Sequence, residues 1–133
     1  MIALSLVVIV AVVAVDLITK FNFDGILNSG IAWSLGADVP WLWIVVVVFS
    51  LVLTIVLLLW LLLGRRRWLK SVGLGLFIGG IVGNALDRLI SGGAVHDFIN
   101  FGIFRNNIAD IALTVGAVLM VLHLIMEETR ASR

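Results

Sequence analysis

Residues 79–116 read GGIVGNALDRLISGGAVHDFINFGIFRNNIADIALTVG. The stretch carries Asp87, Asp97 and Asp110, half of the chain's aspartates, with Asn84, Arg88 and Asn107 among them, and lies in a chain that is otherwise almost continuous hydrocarbon. Ionisable groups at membrane depth are costly and mark functional sites. The lead-in is rich in glycine. Gly75, Gly79 and Gly83 repeat a GxxxG spacing that lets helix backbones approach closely. That spacing serves either an internal helix contact or a contact between copies. Asn84, Asp87 and Arg88 follow at i, i+3 and i+4 and share one helix face. Asp87 and Arg88 are adjacent and cannot face each other, so each is expected to pair with a group on another segment. A polar loop over about 91–106 carries Asp97, and a helix beginning near Asn107 carries Asp110 in its first turn.

Working outward, the rest is apolar enough to define the class. Of 133 residues, 62% are apolar and 13% charged, against roughly 45–50% and about 25% in a soluble domain. We read one integral membrane domain over 1–133, an all-α membrane protein with four transmembrane helices over about 1–19, 41–63, 71–90 and 107–126. The first segment lacks a basic start and a small-x-small cleavage site and reads as a retained helix. Asp16 and Lys20 near its end are i,i+4 neighbours and read as an ion pair at the membrane interface. Residues 21–40 are broken by Gly25, Gly30 and Gly36, with a short extended or re-entrant piece expected over 27–35. The Asn28 amide both donates and accepts, which suits orienting a peptide backbone, although the local pattern by itself favours a turn role beside a glycine. Arg65, Arg66, Arg67 and Lys70 form a basic loop, cytoplasmic by the positive-inside rule. With four spans, both termini are then cytoplasmic and a small irregular or β outer region carries the aspartates.

Several functions are excluded. The chain has no cysteine, so disulfides, thiolate catalysis, cysteine-ligated metals and lipid attachment to the chain itself are absent. His96 and His123 are too far apart in sequence for a local metal motif, and no metal or cofactor is expected. No basic face suits nucleic acid. There is no G-x-S-x-G elbow and no HExxH. Two carboxylates sharing a proton remain. The charged one activates a water and the protonated one donates toward a scissile carbonyl. Asp97 and Asp110 are the best pair by position. Asn107 also suits a helix N-cap with Asp110 at its third position, and Asp97 also suits a solvated loop.

The ordered motifs resemble bacterial lipoprotein signal peptidase, the signal peptidase II family, of which this chain looks like a short-looped member. Asp16-Leu17-Ile18-Thr19-Lys20 is similar to D-x-x-T/S-K. Asn28-Ser29-Gly30-Ile31-Ala32-Trp33-Ser34 is similar to N-x-G-x-A-F-S, with Trp33 at the usual Phe. Gly79-Gly80-Ile81-Val82-Gly83-Asn84-Ala85-Leu86-Asp87-Arg88 matches G-G-x-x-G-N-x-x-D-R. Val95-His96-Asp97-Phe98 looks like V-V-D-F, and Asn107-Ile108-Ala109-Asp110 matches N-x-A-D. The resemblance implies a multi-pass aspartyl endopeptidase of the bacterial inner membrane, with its site near the outer face. It would remove the signal peptide from diacylglyceryl-modified prolipoproteins by cutting before the lipidated cysteine. It assigns catalysis to Asp97 and Asp110, substrate binding to Asn28, Asn84, Arg88 and Asn107, and support to Asp16, Lys20, Gly30 and Asp87. It implies no cofactor, contact with membrane lipid, sensitivity to globomycin-type cyclic peptides and action as a monomer. The connections from Lys20 to Asn28 and from Asp97 to Asp110 are short for the family, which predicts a reduced outer cradle. Two other readings are a non-catalytic lipopeptide-binding protein of the same fold, separated by product formation, and a small proton-coupled carrier, separated by flux.

Overall fold

The computed structural model describes residues 1–30, 36, 38–63 and 67–132. Most of the N-x-G-x-A-F-S-like motif after Gly30, and Arg65 and Arg66 of the basic loop, lie outside the described residues. Helices α1 (Ile2–Asn22), α2 (Leu42–Leu63), α3 (Trp68–Ile90) and α4 (Ile108–Ala131) are joined with strands β1 (Ile26–Asn28), β2 (Val95–Asp97), β3 (Ile99–Asn100) and β4 (Arg105–Asn106). Each helix is long and apolar enough to cross a membrane. The third begins before the expected residue 71 and the fourth runs beyond 126. Its charged end stays helical because Glu127 pairs with Arg67 at 3.3 Å and lies 3.6 Å from His123 one turn back.

The least apolar helix is the innermost. Two-thirds of the α3 spanning window is buried, against 6% for α2. Lipid tails are as apolar as the side chains, so close backbone packing, not hydrophobic exclusion, holds the helices. The glycines supply that closeness on two faces. A Cβ on Gly75 or Gly79 would lie 2.9 or 2.8 Å from the Cβ of Val8 or Val12, and one on Gly83 would lie 2.8 Å from Asp16 Oδ2. Three positions of α1 at four-residue spacing thus ride on three of α3. On the other face a Cβ on Gly80 would meet the Ala109 carbonyl at 2.5 Å, and one on Gly116 the Phe77 nitrogen at 2.7 Å. The GxxxG stripe is an internal contact. Leu74 and Ile78 complete the core against Leu61 of α2.

At one end of the bundle Ser5 Oγ donates to the Ser71 carbonyl at 2.9 Å, and Lys70 donates to the Trp60 carbonyl at 2.7 Å while lying over the Trp60 ring. At the other end sit two small antiparallel sheets. In one, β1 pairs with β2 in the register Ile26 to Asp97, Leu27 to His96 and Asn28 to Val95. In the other, β3 pairs with β4, Ile99 to Asn106 and Asn100 to Arg105. Helix α3 stops where Gly92 turns left-handed at φ 67° and the Gly93 N–H bonds back to the Arg88 carbonyl at 2.7 Å. This Schellman-type stop redirects the chain into β2. The β3–β4 hairpin then closes the connection between Asp97 and Asp110. Its turn is held by the Phe101 N–H on the Phe104 carbonyl at 3.0 Å and by stacking of the two rings. A connection this short brings its ends together cheaply, because closure entropy grows slowly with length.

Candidate active site

Five elements bring their polar residues to the sheet end of the bundle: α1 gives Asp16 and Lys20, β1 gives Asn28, α3 gives Asn84, Asp87 and Arg88, β2 gives Asp97, and α4 with its cap gives Asn107 and Asp110. The network starts at α1. Lys20 is buried, and an ammonium has three N–H donors. They meet Asp16 Oδ2 at 2.8 Å, Asp87 Oδ2 at 3.1 Å and Asn84 Oδ1 at 3.2 Å. Asp16 is fully buried, and its other oxygen accepts the Ala109 N–H at 2.8 Å. That N–H is among the unpaired donors of the α4 start. The Asp16–Lys20 ion pair is present as expected near the end of α1, and it is also an interior link between α1, α3 and α4. A carboxylate pairs with an ammonium i+4 on a surface and in a core alike, so spacing alone does not separate the two.

Asp87 and Arg88 pair off their own segment, as their adjacency requires. Asp87 Oδ2 also accepts the His96 N–H at 2.7 Å, tying β2 to α3. Arg88 is buried and donates to the Gly30 carbonyl at 3.1 Å, fixing the chain as it leaves β1.

One amide links the Asp97 carboxylate to the backbone of Asp110. Asn107 has no exposed surface. Its Oδ1 accepts the Asp110 N–H at 2.9 Å, the N-cap bond expected from the sequence, while its Nδ2 donates to Asp97 Oδ1 at 2.7 Å. The residue that caps α4 is thus also the one that holds the Asp97 carboxylate. Asn28 Nδ2 donates to Asp97 Oδ2 at 3.1 Å, and Asn84 Nδ2 donates to Asp110 Oδ1 at 2.8 Å. Asp97 is buried and not a solvated loop acid, whereas Asp110 is only half-buried. The two lie within electrostatic reach of each other and of Arg88. The arrangement can place a water between two carboxylates that fixed amides orient. Among the described residues no group of three or more histidine and acidic side chains is placed to hold a metal ion.

Two contributors escaped the sequence reading. The His96 imidazole meets the Lys20 carbonyl through Nδ1 at 2.8 Å, joining the end of α1 to β2. Gly25 lets β1 lie on β2: a Cβ there would fall 2.6 Å from the Asp97 carbonyl and 2.8 Å from both His96 Nε2 and Phe98 Cα. Gly25 showed only as a helix breaker, and nothing local marks a glycine under a strand. Gly25→Ala is expected to push β1 off Asp97, to cost about 1–3 kcal/mol as overpacking does, and to lower turnover. An unchanged unfolding temperature and rate would contradict this contact.

Comparison with known proteins adds the following. The model of a family described as signal peptidase (SPase) II matches residues 3–126. A protein of Lactiplantibacillus plantarum named lipoprotein signal peptidase is 39% identical over 106 residues, 77% of this chain and 68% of that protein. One of the same name from Coxiella burnetii is 39% identical over 119 residues, 84% of this chain and 72% of its own. A bacterial membrane enzyme solved by the in meso method at 2.3 Å resolution superposes with a TM-score of 0.86 at 22% identity, covering 98% of this chain and 92% of its own. At that identity the likeness speaks for the fold.

Proposed function

The chain belongs to the signal peptidase II family, whose members remove signal peptides from prolipoproteins, and we propose that it does so as an aspartic endopeptidase. Asp97 and Asp110 form the dyad, and the observation that carries this is the buried Asn107 amide joining the Asp97 carboxylate to the N–H of Asp110 at 2.7 and 2.9 Å. One carboxylate takes a proton from water as the oxygen bonds to the scissile carbonyl carbon, and the other gives its proton to the carbonyl oxygen. Asn28, Asn84, Arg88 and Asn107 surround the substrate. Asp16, Lys20, Asp87 and Gly30 hold those side chains in place. The described geometry supports this division: Lys20 sits behind Asn84 and the Gly30 carbonyl sits on Arg88.

The substrate under this reading is a diacylglyceryl-modified prolipoprotein cut before its lipidated cysteine, with globomycin-type peptides as inhibitors. The protein acts as a monomer in the bacterial inner membrane, with the sheets at the outer face and both termini in the cytoplasm. The β3–β4 hairpin supplies a reduced outer cradle. The relatives' names favour cleavage over the lipopeptide-binding alternative.

The test uses two synthetic prolipoprotein peptides, one with and one without the diacylglyceryl group, incubated with the purified protein in lipid. Only the modified peptide is expected to be cut, with a product whose mass places the modified cysteine first and whose formation globomycin blocks. Equal cleavage of both peptides, or a cut elsewhere, would contradict the assignment.

A further inference from the structure

Strand β2 carries Asp97, yet its ladder alone does not hold it. It forms a two-stranded sheet with β1, and a pair of such short strands is marginal by itself. Two hydrogen bonds tie β2 to α3 and α1, and both belong to His96, the residue before Asp97. The His96 N–H donates to Asp87 Oδ2 at 2.7 Å, and the His96 ring meets the Lys20 carbonyl through Nδ1 at 2.8 Å. Successive side chains of a strand point to opposite faces. Asp97 therefore faces Asn28 and Asn107 while His96 faces the end of α1.

The chemistry of the two groups places the hydrogen. A carbonyl oxygen only accepts, so Nδ1 carries the proton in this contact and the neutral ring is the Nδ1–H tautomer. The carbonyl has need of it: α1 ends at Asn22, and the last carbonyls of a helix lack a partner within the helix. Gly25 lies against the ring, where a Cβ would fall 2.8 Å from Nε2. Lys20 carries the tie onward. Its ammonium meets Asp87 Oδ2 at 3.1 Å, which closes a circuit with the His96 N–H. It also donates to Asn84 Oδ1 at 3.2 Å, and Asn84 Nδ2 donates to Asp110 Oδ1 at 2.8 Å. His96 thus adjoins one carboxylate in the chain and reaches the other through Lys20 and Asn84.

We propose that His96 is a positioning residue whose Nδ1–H bond to the Lys20 carbonyl sets where Asp97 stands relative to Asp110. The inference rests on the aspartic reading above and deepens it. The V-V-D-F pattern has valine at this position, and valine cannot donate, so the device belongs to this chain and not to the pattern. Without the bond β2 keeps its backbone contacts to Asp87 and β1 and pivots on them. Asp97 then moves against Asp110, and a misplacement of about 1 Å costs on the order of a hundredfold in rate. The loss falls on kcat, because His96 touches neither the substrate nor the reacting atoms.

The test has two arms, both on the full chain in lipid. The first is turnover of the lipidated peptide by the wild type, His96→Val, His96→Asn and His96→Gln. Asparagine puts an amide nitrogen where Nδ1 stands, and glutamine puts one nearer the place of Nε2. His96→Val and His96→Gln are expected to lower kcat about ten- to a hundredfold with KM within about twofold of the wild type. His96→Asn is expected to recover kcat to within about threefold. A kcat within about twofold of the wild type in His96→Val, no advantage of asparagine over glutamine, or a loss confined to KM overturns the proposal. The second arm needs no variant, so it decides even where the variants fail to fold. Nitrogen-15 NMR of the wild-type histidine rings at about pH 8.5, where free imidazole is neutral, with carbon-13 at the lysine carbonyls, is expected to show a protonated Nδ1 coupled to a lysine carbonyl. A bare Nδ1, or no such coupling, overturns the proposal. A folded wild type that shows the coupling but cuts no peptide overturns the aspartic reading, and the positioning role with it, while the bond itself stands.

Discussion

Asp110→Asn is expected to lower turnover at least about a thousandfold while leaving the unfolding temperature close to that of the wild type. Asparagine has the shape of a protonated aspartic acid. Its oxygen can keep the Asn84 N–H that Asp110 Oδ1 now accepts at 2.8 Å, and at this half-buried position its NH₂ has room to turn toward water. Binding geometry survives and proton transfer does not. Asp97→Asn is expected to lose turnover to the same degree but to pay in stability as well. Asn28 and Asn107 both point NH₂ groups at Asp97, so one of them would face another donor. An unmade buried hydrogen bond costs about 1–3 kcal/mol. Rates with the lipidated peptide and thermal unfolding of both variants in one lipid check the pair. Turnover within tenfold of wild type in either variant would remove that residue from the chemistry, and equal stability of the two would contradict the fixed amide orientations.

Asp16→Ala is expected to be the most destabilising single change, at about 3–5 kcal/mol, the range for removing one partner of a buried ion pair. Two groups lose a partner at once. The Lys20 ammonium loses its shortest contact, 2.8 Å, and the Ala109 N–H loses the oxygen it meets at 2.8 Å. Lys20 keeps Asp87 at 3.1 Å and Asn84 at 3.2 Å, but the Ala109 N–H is left without its buried acceptor. The damage reaches the site by two routes, because Lys20 orients Asn84 and Ala109 precedes Asp110 in the first turn of α4. Thermal unfolding in lipid measures the loss, and a midpoint unchanged from the wild type would show that the three-helix link contributes little.

The span count was legible because hydrocarbon runs of this length have few alternatives in water. The start of α4 was legible too: asparagine before an apolar helix with an acid at its third position is a local cap signal, and Asn107 accepts from the Asp110 N–H as that signal requires. The glycine spacing announced a close helix contact, but whether it met α1 or another copy depended on the side chains opposite, Val8, Val12 and Asp16. The β1–β2 pairing was out of reach. Strands of three residues are too short for an alternation to register, and their register depends on Gly25 and on His96 bonding to α1. The interior position of Asp16 and Lys20 was hidden for a related reason: their partners Ala109, Asn84 and Asp87 come from helices far along the chain. Local signals named the polar residues. Long-range geometry decides which end of each amide faces which carboxylate.

The most direct test of the account is a gel-shift assay on a diacylglyceryl-modified prolipoprotein with the wild type, Asp97→Asn and Asp110→Asn, each confirmed folded in the same lipid. The account predicts cleavage by the wild type alone, abolished by globomycin. Cleavage by either folded variant, or none by a folded wild type, would contradict a catalytic dyad at Asp97 and Asp110.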